Sequence, residues 1–403
     1  MDTGIGRRVA YWRDRRGYTQ TDFGRHMGQT KRWVQDLEGG KRQQDPRLSV
    51  LVRAADVLRV PLEQLLYDSP PQPPAGSGPP AETSAVLDAL YHPAAGAEPP
   101  PLPVLKRRLV YCCKAFQACH YATLARELPA LIVGATQAAH AAPVGSQTEA
   151  HAVLSRVYQL VTSYLHKYGA STAIQAALAA DRALAAADRS GDPVQQGAAA
   201  RRVAKSLVYQ QRPETAVQFA TAAARRLEGD LTRQGPLGLS TLGMLYLSAA
   251  LAASSQERTT SRIRAATDYV DEAGEAAARQ GGDRDEDYTM FGPTNVGLHR
   301  VDMLVRFEDG WAALEAADAL DPEAIGGLSR ERQAGHQVTM ARASLLTRRK
   351  EDAATALVEA DRLAPEDVRG RADTVSLVKA VAGAMARPPA DLRALAERCG
   401  LRA

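Results

Sequence analysis

Aromatic residues and cysteines are scarce in this 403-residue sequence. Phe, Trp and Tyr make up 5% of the chain, and there are four cysteines. So few cysteines cannot form the disulfide framework of a secreted protein, and no basic segment followed by an apolar one opens the chain. We therefore expect the protein to act in a reducing compartment, the cytoplasm. The length and the 45% apolar content predict two or three folded domains.

Motifs of the common enzyme and metal sites are also missing. The sequence has no HExxH, no Walker-type glycine-rich lysine loop, no GxSxG, no GxGxxG and no CxxC. Cys112, Cys113 and Cys119-His120 have metal-ligand residue types, but Cys112 and Cys119 lie two helical turns apart, too far to share one tetrahedral ion. We expect buried reduced thiols there, with a redox role left open. The sequence therefore predicts neither an enzyme nor a bound metal or cofactor.

One long segment, Gln234 to Gln256, has no charged residue. Its length would allow it to cross a bilayer. The segment contains a proline, three glycines and five serines or threonines, and the sequence on both sides has the pattern of soluble helices. We therefore expect a helix buried within a helical array and no association with a membrane.

Proline is concentrated in two short tracts. Eleven of the 23 prolines lie in Pro70–Pro80 and Pro93–Pro103, which cannot form helix or central strand. The sequence thus predicts an N-terminal domain at residues 1–68, a linker at 69–103 and a C-terminal domain at 104–403. Within the linker, Ser84 to Tyr91 could form two turns of helix.

The C-terminal region is rich in alanine and has helical spacing nearly throughout. A segment beginning at Ala313-Leu314 and ending at Pro322 recurs 43 positions later, from Ala356-Leu357 to Pro365. Together with regularly placed glycines and prolines, this repeat predicts an all-α superhelix of tetratricopeptide-like helix pairs. The pairs are expected to begin near residues 105, 149, 193, 236, 293 and 329, with a cap after Arg371. A generic helical bundle is the alternative.

The N-terminal 68 residues contain five short amphipathic helices by the same criteria. Thr19 and Thr30 can cap the second and third helices, a tight turn at Gly28 joins them, and Pro61 opens the fifth. This segment carries 13 Lys and Arg against 9 Asp and Glu, whereas the rest of the chain is neutral. A compact basic head with two helices joined by a glycine turn is typical of a helix-turn-helix DNA-binding domain.

Residues 5–66 resemble the lambda/Cro repressor-like group, the XRE family. The positions that carry the resemblance are Tyr18-Thr19-Gln20, Phe23-Gly24, Gly28, Thr30, Val34, Leu37-Glu38, Gly40-Lys41 and Leu62…Leu65-Leu66. The residues for which the resemblance implies a role in DNA binding are Gln20, Thr30, Lys31, Arg32, Trp33, Asp36, Lys41 and Arg42. In this assignment Arg32 reads guanine and Asp36 accepts from cytosine. Gln20 hydrogen-bonds a phosphate and braces the recognition helix, and Thr30 and Lys31 open that helix, whose N–H groups favour phosphate.

Lys41 and Arg42, just past the third helix, are expected to clamp the DNA backbone. Trp33 occupies a position where the family usually has a small or hydroxyl residue, so it packs either on the DNA or in the core or a dimer contact. Asp36 either contacts a base or pairs with Arg32 one turn back.

The helical-repeat region resembles a family of XRE regulators from high-G+C bacteria that carry a tetratricopeptide-like sensor. The resemblance lies in Phe291-Gly292-Pro293-Thr294-Asn295-Val296 followed by Leu298-His299-Arg300-Val301, and it extends more loosely to the peptide-sensing Rgg and PlcR regulators. First helices of such repeats line a concave surface where ligands bind. The hypothetical ligand-binding residues are Asn295, His299, Arg202, Lys205, Tyr209, Tyr246 and Phe291. Alternatively, Asn295 caps a turn and His299 is a satisfied interior histidine.

These observations predict a transcription regulator that binds operator DNA and responds to a peptide or small-molecule effector. One recognition helix covers about half an operator, so we expect a homodimer. The alternative function is an interaction scaffold, in which the helical repeat holds a partner protein and the N-terminal domain is accessory.

Overall fold

The computed structural model divides the chain into two compact units, Met1–Gly78 and Pro79–Ala403. The residues that it describes are 5–16, 18–39, 46, 48–58, 60, 62, 65, 83–91 and 99–401. Every regular element among them is a helix, apart from one isolated β-bridge between Arg284 and Phe291. The predicted all-α fold class is confirmed.

Four helices of the first unit are described. They are α1 (Ile5–Arg15), α2 (Gln20–Met27), α3 (Lys31–Glu38) and α4 (Leu48–Leu58). Both predicted threonine caps are present: the Thr19 hydroxyl accepts the backbone N–H of Asp22 at 3.1 Å, and the Thr30 hydroxyl accepts that of Trp33 at 3.2 Å. The fifth helix, predicted to open at Pro61, lies mostly outside the described residues.

The core of the first unit holds α1 and α3 close together. Val9, Phe23 and Val34 are fully buried between the helices. Gly6 permits the close approach, because a Cβ atom at this position would lie 2.1 Å from the carbonyl oxygen of Leu37. The position of α3 is therefore fixed from one side, and its other side is left to solvent.

The second unit begins with α5 (Thr83–Tyr91) and continues as seven helix pairs in residues 99–401. The paired helices are α6 (Leu102–Gln117) with α7 (Tyr121–Ala141), α8 (Gln147–Leu165) with α9 (Ala173–Ser190), α10 (Pro193–Tyr209) with α11 (Pro213–Arg233), α12 (Gly235–Ala253) with α13 (Thr260–Gln280), α14 (Pro293–Arg306) with α15 (Gly310–Asp318), α17 (Arg330–Leu346) with α18 (Lys350–Leu363), and α20 (Ala372–Gly383) with α21 (Ala390–Arg398). Two short helices, α16 (Pro322–Gly326) and α19 (Pro365–Gly370), precede the last two pairs. The first six pairs begin within three residues of the predicted positions.

The first helices of the pairs form a continuous inner layer. Each of them contacts the next, from α6 through α8, α10, α12, α14 and α17 to α20. Buried alanines such as Ala313, Ala317, Ala356 and Ala360 let the second helices pack closely on this layer. The repeat recognised in the sequence thus corresponds to equivalent second helices, α15 and α18, of successive pairs.

Two segments that the sequence left uncertain belong to the second unit. The short helix expected within the linker is α5, and it packs against α7 through the buried side chains of Val86 and Leu90. The uncharged segment forms α12, which is the one helix in the described part of the chain with the length and hydropathy of a membrane span. Most of α12 is buried, and it contacts α10, α11, α13 and α14, as a core helix of the array would.

The superhelix curves far enough for its last pairs to contact its first. Helix α17 contacts α6, while α19 and α20 contact the segment His166–Thr172 that follows α8. Five side chains join the two ends, and we call them the closing network: Tyr121, Lys167, Glu331, Asp367 and Arg371. The Lys167 ammonium lies 2.7 Å from a Glu331 carboxylate oxygen and 3.0 Å from one of Asp367. The inner layer therefore surrounds an interior space.

Phe291 fills a gap on α12 that only a glycine leaves open. Its ring is fully buried, and a Cβ atom at Gly243 would lie 2.0 Å from the ring carbon Cζ. We predict that Gly243→Ala lowers the free energy of unfolding by about 1–3 kcal/mol, the usual effect of overpacking a core. Urea denaturation followed by circular dichroism measures this change.

Gly274 of α13 provides the matched control, because no atom lies within 4 Å of a Cβ built there. Gly274→Ala should instead stabilise the protein by about 0.5–1 kcal/mol through helix propensity. Equal effects of the two substitutions would contradict the packing of Phe291 on α12.

Candidate DNA-binding surface and ligand cavity

Helices α2 and α3 are joined by a turn that glycine makes possible. Gly28 ends α2 in the left-handed conformation, at φ 67°, and its N–H donates to carbonyl oxygens of the last turn. Thr30 caps α3 two residues later, so the N-terminal end of α3 begins in a short, fixed turn. This is the geometry of a helix-turn-helix, with α3 in the position of the recognition helix.

The outer face of α3 is exposed and basic. Lys31, Arg32 and Gln35 are exposed, whereas Val34 and Leu37 on the opposite face are buried. Arg32 can contact guanine through two hydrogen bonds, and a glutamine such as Gln35 can do the same with adenine. Gln35 was not among the residues assigned from the sequence. Its position one turn after Lys31 and Arg32 is the signal that could have identified it.

Gln20 connects α2 to the end of α3 in this structure. Its side-chain amide donates to Glu38 at 2.8 Å, and the same carboxylate accepts from Arg13 of α1 at 2.5 Å and 3.2 Å. Gln20 therefore links the start of α2 to the last turn of the recognition helix, with Glu38 as its partner.

The remaining predicted DNA-contact residues fall into two groups. Trp33 is half-buried and packs against the core of the first unit, and Asp36 is half-buried. In the described part of the chain Asp36 has no ion pair with Arg32, so the pairing considered as an alternative is not formed. Lys41 and Arg42 lie outside the described residues.

The second unit encloses a cavity of about 460 Å³ on the concave side of the superhelix. The residues lining it come from the first helices of the pairs and from the segments that connect helices, and none comes from the seven second helices. This is the surface on which ligands were expected to bind. Five of the predicted ligand-binding residues line the cavity: Arg202, Lys205, Tyr209, Asn295 and His299.

The cavity lining is strongly basic. Among the described residues that line it, nine are Lys or Arg and three are Asp or Glu. The cationic residues are Arg156, Lys167, Arg201, Arg202, Lys205, Arg306, Arg332, Arg342 and Arg371. Because the whole second unit carries no such excess, the positive charge is concentrated on its inner surface.

Several of these cations are neutralised by carboxylates of the protein. Arg156 lies 2.9 Å from Asp287, and Arg306 lies 3.1 Å from Asp302. The closing network includes Lys167 and Arg371, and Arg332 lies 3.8 Å from its member Glu331. These cations therefore have carboxylate partners within the protein.

Asn295 and His299 lie on α14, and one polar side-chain atom of each forms a hydrogen bond. The Asn295 amide nitrogen donates to the carbonyl oxygen of Thr289 at 3.2 Å, and its side-chain oxygen is buried without a partner. His299 Nδ1 lies 2.8 Å from the carbonyl oxygen of Asn295. Burial and the nearby Arg332 guanidinium lower the pKa of His299 to about 4, so the ring is neutral near pH 7. Its Nδ1 donates and its Nε2 is left as an acceptor.

The structure does not bring Tyr246 and Phe291 to the cavity. Phe291 is fully buried on α12 as described above, and Tyr246 packs half-buried among apolar residues of α11 to α13. The sequence segment around Phe291 therefore contributes to core packing at this position. Two residues that the sequence analysis did not assign, Arg201 and Arg332, line the cavity instead.

The cysteine cluster lies in the core next to α6 and α7. Cys112, Cys113 and Cys119 are all buried. Burial raises the pKa of the Cys112 and Cys119 thiols to about 12 and that of Cys113 to about 11. Near pH 7 these thiols stay protonated, so the form that reacts with oxidants and metals is suppressed.

Comparison with protein-family models matches residues 5–66 to the helix-turn-helix domain. The match covers most of the first unit and ends before the helical repeat. No curated protein and no solved structure matches the chain. The N-terminal unit is thus a helix-turn-helix domain, which supports a DNA-binding regulator.

Proposed function

We propose that the protein is a sequence-specific transcription regulator, in which the first unit binds operator DNA and the second unit senses a ligand. The observation that carries this proposal is the helix-turn-helix geometry of α2 and α3. One face of α3 is held in the core, and the other presents Lys31, Arg32 and Gln35 to solvent. A protein of the XRE type would use these residues to read the major groove.

We also propose that the protein acts as a homodimer. A single recognition helix reaches only a few base pairs, so tight operator binding needs two heads about one helical turn of DNA apart. An effector controls such a dimer only if it binds the DNA-competent form and the alternative form with different affinities. The cavity on the concave side of the superhelix is the binding site that we propose for this effector.

The test of DNA recognition is a titration against the protein's own upstream DNA and a scrambled duplex, at about 50 mM and about 200 mM salt. We expect a preference for the upstream DNA that persists at the higher salt concentration. Arg32→Ala should reduce this preference by about 1–3 kcal/mol, which corresponds to about 5- to 150-fold.

Arg7 provides the control because it is an exposed arginine on α1 rather than on α3. Any loss of affinity in Arg7→Ala should be by the same factor for both duplexes. The ratio of the two affinities should therefore not change. Equal, salt-sensitive binding of both duplexes by the wild-type protein would contradict the proposal. That result would instead favour a scaffold whose helical repeat holds a partner protein.

A further inference from the structure

The excess positive charge of the cavity is concentrated on one helix. Arg201, Arg202 and Lys205 lie within four residues of each other on α10, and all three line the cavity. In the described part of the chain, none of them has a carboxylate oxygen within 4 Å, in contrast to Arg156 and Lys167 on the neighbouring elements. Helix α10 therefore brings a group of cations to the inner surface without supplying counter-charges.

The surroundings of these cations are repulsive. Burial and the guanidinium groups of Arg332 and Arg156 lower the pKa of Arg201 to about 9. Burial and the adjacent Arg201 lower the pKa of Arg202, and burial and Lys167 lower that of Lys205. The Lys205 side chain is partly exposed to solvent, and Lys167 and Arg371 both repel its charge. An anion in this position would replace repulsion by charge-assisted hydrogen bonds.

Residues that line the same cavity also contain buried polar atoms without a hydrogen-bond partner. In the described residues six buried side-chain nitrogen or oxygen atoms have no hydrogen-bond partner, and four of them belong to residues that line the cavity. These four atoms are Arg202 Nε, Asn295 Oδ1, His166 Nδ1 and His336 Nδ1. Buried polar groups without partners are unfavourable, so the residues that line this cavity are incompletely paired within the protein.

We propose that this cavity binds a small organic anion whose phosphate or carboxylate groups lie against Arg201, Arg202 and Lys205. Arginine suits this role because its planar guanidinium donates two parallel hydrogen bonds to either group. A volume of about 460 Å³ is in the range of small-molecule pockets. The identification of this anion as the effector rests on the proposed function, whereas its binding to the cavity does not.

The experiment is calorimetric titration of the full chain, in phosphate-free buffer and without DNA, with pyrophosphate and separately with citrate. Sodium chloride at the same ionic strength serves as the reference. We expect at least one of the two anions to bind with one site per chain. Tighter binding of pyrophosphate identifies a phosphate ligand, and tighter binding of citrate identifies a carboxylate ligand. Failure of both anions to bind beyond the chloride reference overturns the proposal.

The double variant Arg201→Gln and Arg202→Gln should bind the preferred anion at least about tenfold more weakly. Arg226→Gln, which removes an exposed arginine of α11 that does not line the cavity, should bind as the wild type does. Undiminished binding by the double variant would place the anion elsewhere, for example on the basic first unit, and would overturn the proposal.

Thermal stability separates a ligand site from a structural role. If the α10 arginines serve a ligand, the anion-free double variant should have a melting temperature equal to or above that of the wild type, because unpaired charges have been removed. The anion should then raise the melting temperature of the wild type alone. A melting temperature several degrees lower in the anion-free variant would show that the arginines are structural. Because no DNA is present, failure of operator binding would leave these results unaffected.

Discussion

Replacing Asp367 by alanine is expected to lower the free energy of unfolding of the second unit by about 3–5 kcal/mol. Asp367 is buried at the point where the last helix pairs meet the first. Its carboxylate accepts a hydrogen bond from the Tyr121 hydroxyl at 3.0 Å and lies 3.0 Å from the Lys167 ammonium. Without it, Lys167 stays buried with Glu331 as its one remaining carboxylate partner, and Tyr121 loses its acceptor. Urea denaturation followed by circular dichroism measures the loss, since the second unit contains most of the helix.

An exposed ion pair of the same unit is the control. Asp271 pairs with Arg300 at 2.5 Å between α13 and α14, and its side chain is more than half exposed. Asp271→Ala should change stability by less than about 1 kcal/mol, as is usual for surface pairs. Asp367→Asn, which keeps the shape and one oxygen acceptor, should lie between the two alanine variants. Similar losses for Asp367→Ala and Asp271→Ala would show that the closing network does not hold the ends together.

The same network predicts how stability depends on pH. Burial opposes ionisation of Asp367 and Glu331. Lys167 together with Arg371 at Asp367, and Lys167 together with Arg332 at Glu331, outweigh it, so the pKa of each carboxyl lies below its ordinary range. A carboxyl whose pKa is lowered on folding stabilises the protein above its unfolded pKa, about 4, and this contribution is lost as the pH falls further towards the folded value. The difference in stability between wild type and Asp367→Asn should therefore be constant near pH 7 and shrink below about pH 4. A difference that grows on acidification would contradict this assignment.

The fold could be predicted largely because its signals are local. Prolines and glycines that end helices, and alanines at the close contacts between helices, mark the boundaries of each pair directly in the sequence. Closure of the superhelix could not be predicted in the same way. Tyr121 and Asp367 are 246 positions apart, and no local pattern indicates that one will accept a hydrogen bond from the other. The curvature that brings them together accumulates over the whole array.

Residues that line the cavity could be predicted where their position depends on one helix. They could not be predicted where it depends on several helices. The helical spacing of Arg202, Lys205 and Tyr209 follows from α10 alone, and the structure places all three at the cavity. Phe291 and Tyr246 stand in an equally suggestive part of the sequence, but their direction depends on neighbouring helices. Gly243 has no side chain, and the Phe291 ring fills the space that this leaves. The segment around Phe291, which resembles a sensor motif, therefore contributes to the core.

The second large effect is expected in the first unit, where Glu38→Ala should lower the free energy of unfolding by about 3–5 kcal/mol. The side chains of Arg13 and Glu38 are both at least nine-tenths buried, and they form two hydrogen bonds between α1 and the end of α3. Hydrogen bonding to Glu38 raises the pKa of Arg13. Arginine stays protonated near pH 7 without such a partner, so Glu38→Ala leaves a buried charge without this carboxylate. Gln20 loses its acceptor in the same substitution.

Denaturation of the first unit can be followed through the fluorescence of Trp12 and Trp33, which are half-buried against its core. The measurement uses a Trp311→Phe background, because Trp311 is the one tryptophan of the second unit and is mostly exposed. Asp14→Ala removes the other carboxylate near Arg13, whose side chain is 71% exposed, and should change stability by less than about 1 kcal/mol. Glu38→Gln, which preserves the shape and an oxygen acceptor, should have an intermediate effect.

Since Glu38 lies in the last turn of the recognition helix, Glu38→Ala should weaken binding to upstream and scrambled DNA together, whereas Arg32→Ala should weaken their discrimination. Normal stability with a selective loss of discrimination in Glu38→Ala would mean that this carboxylate acts at the DNA surface rather than in the core.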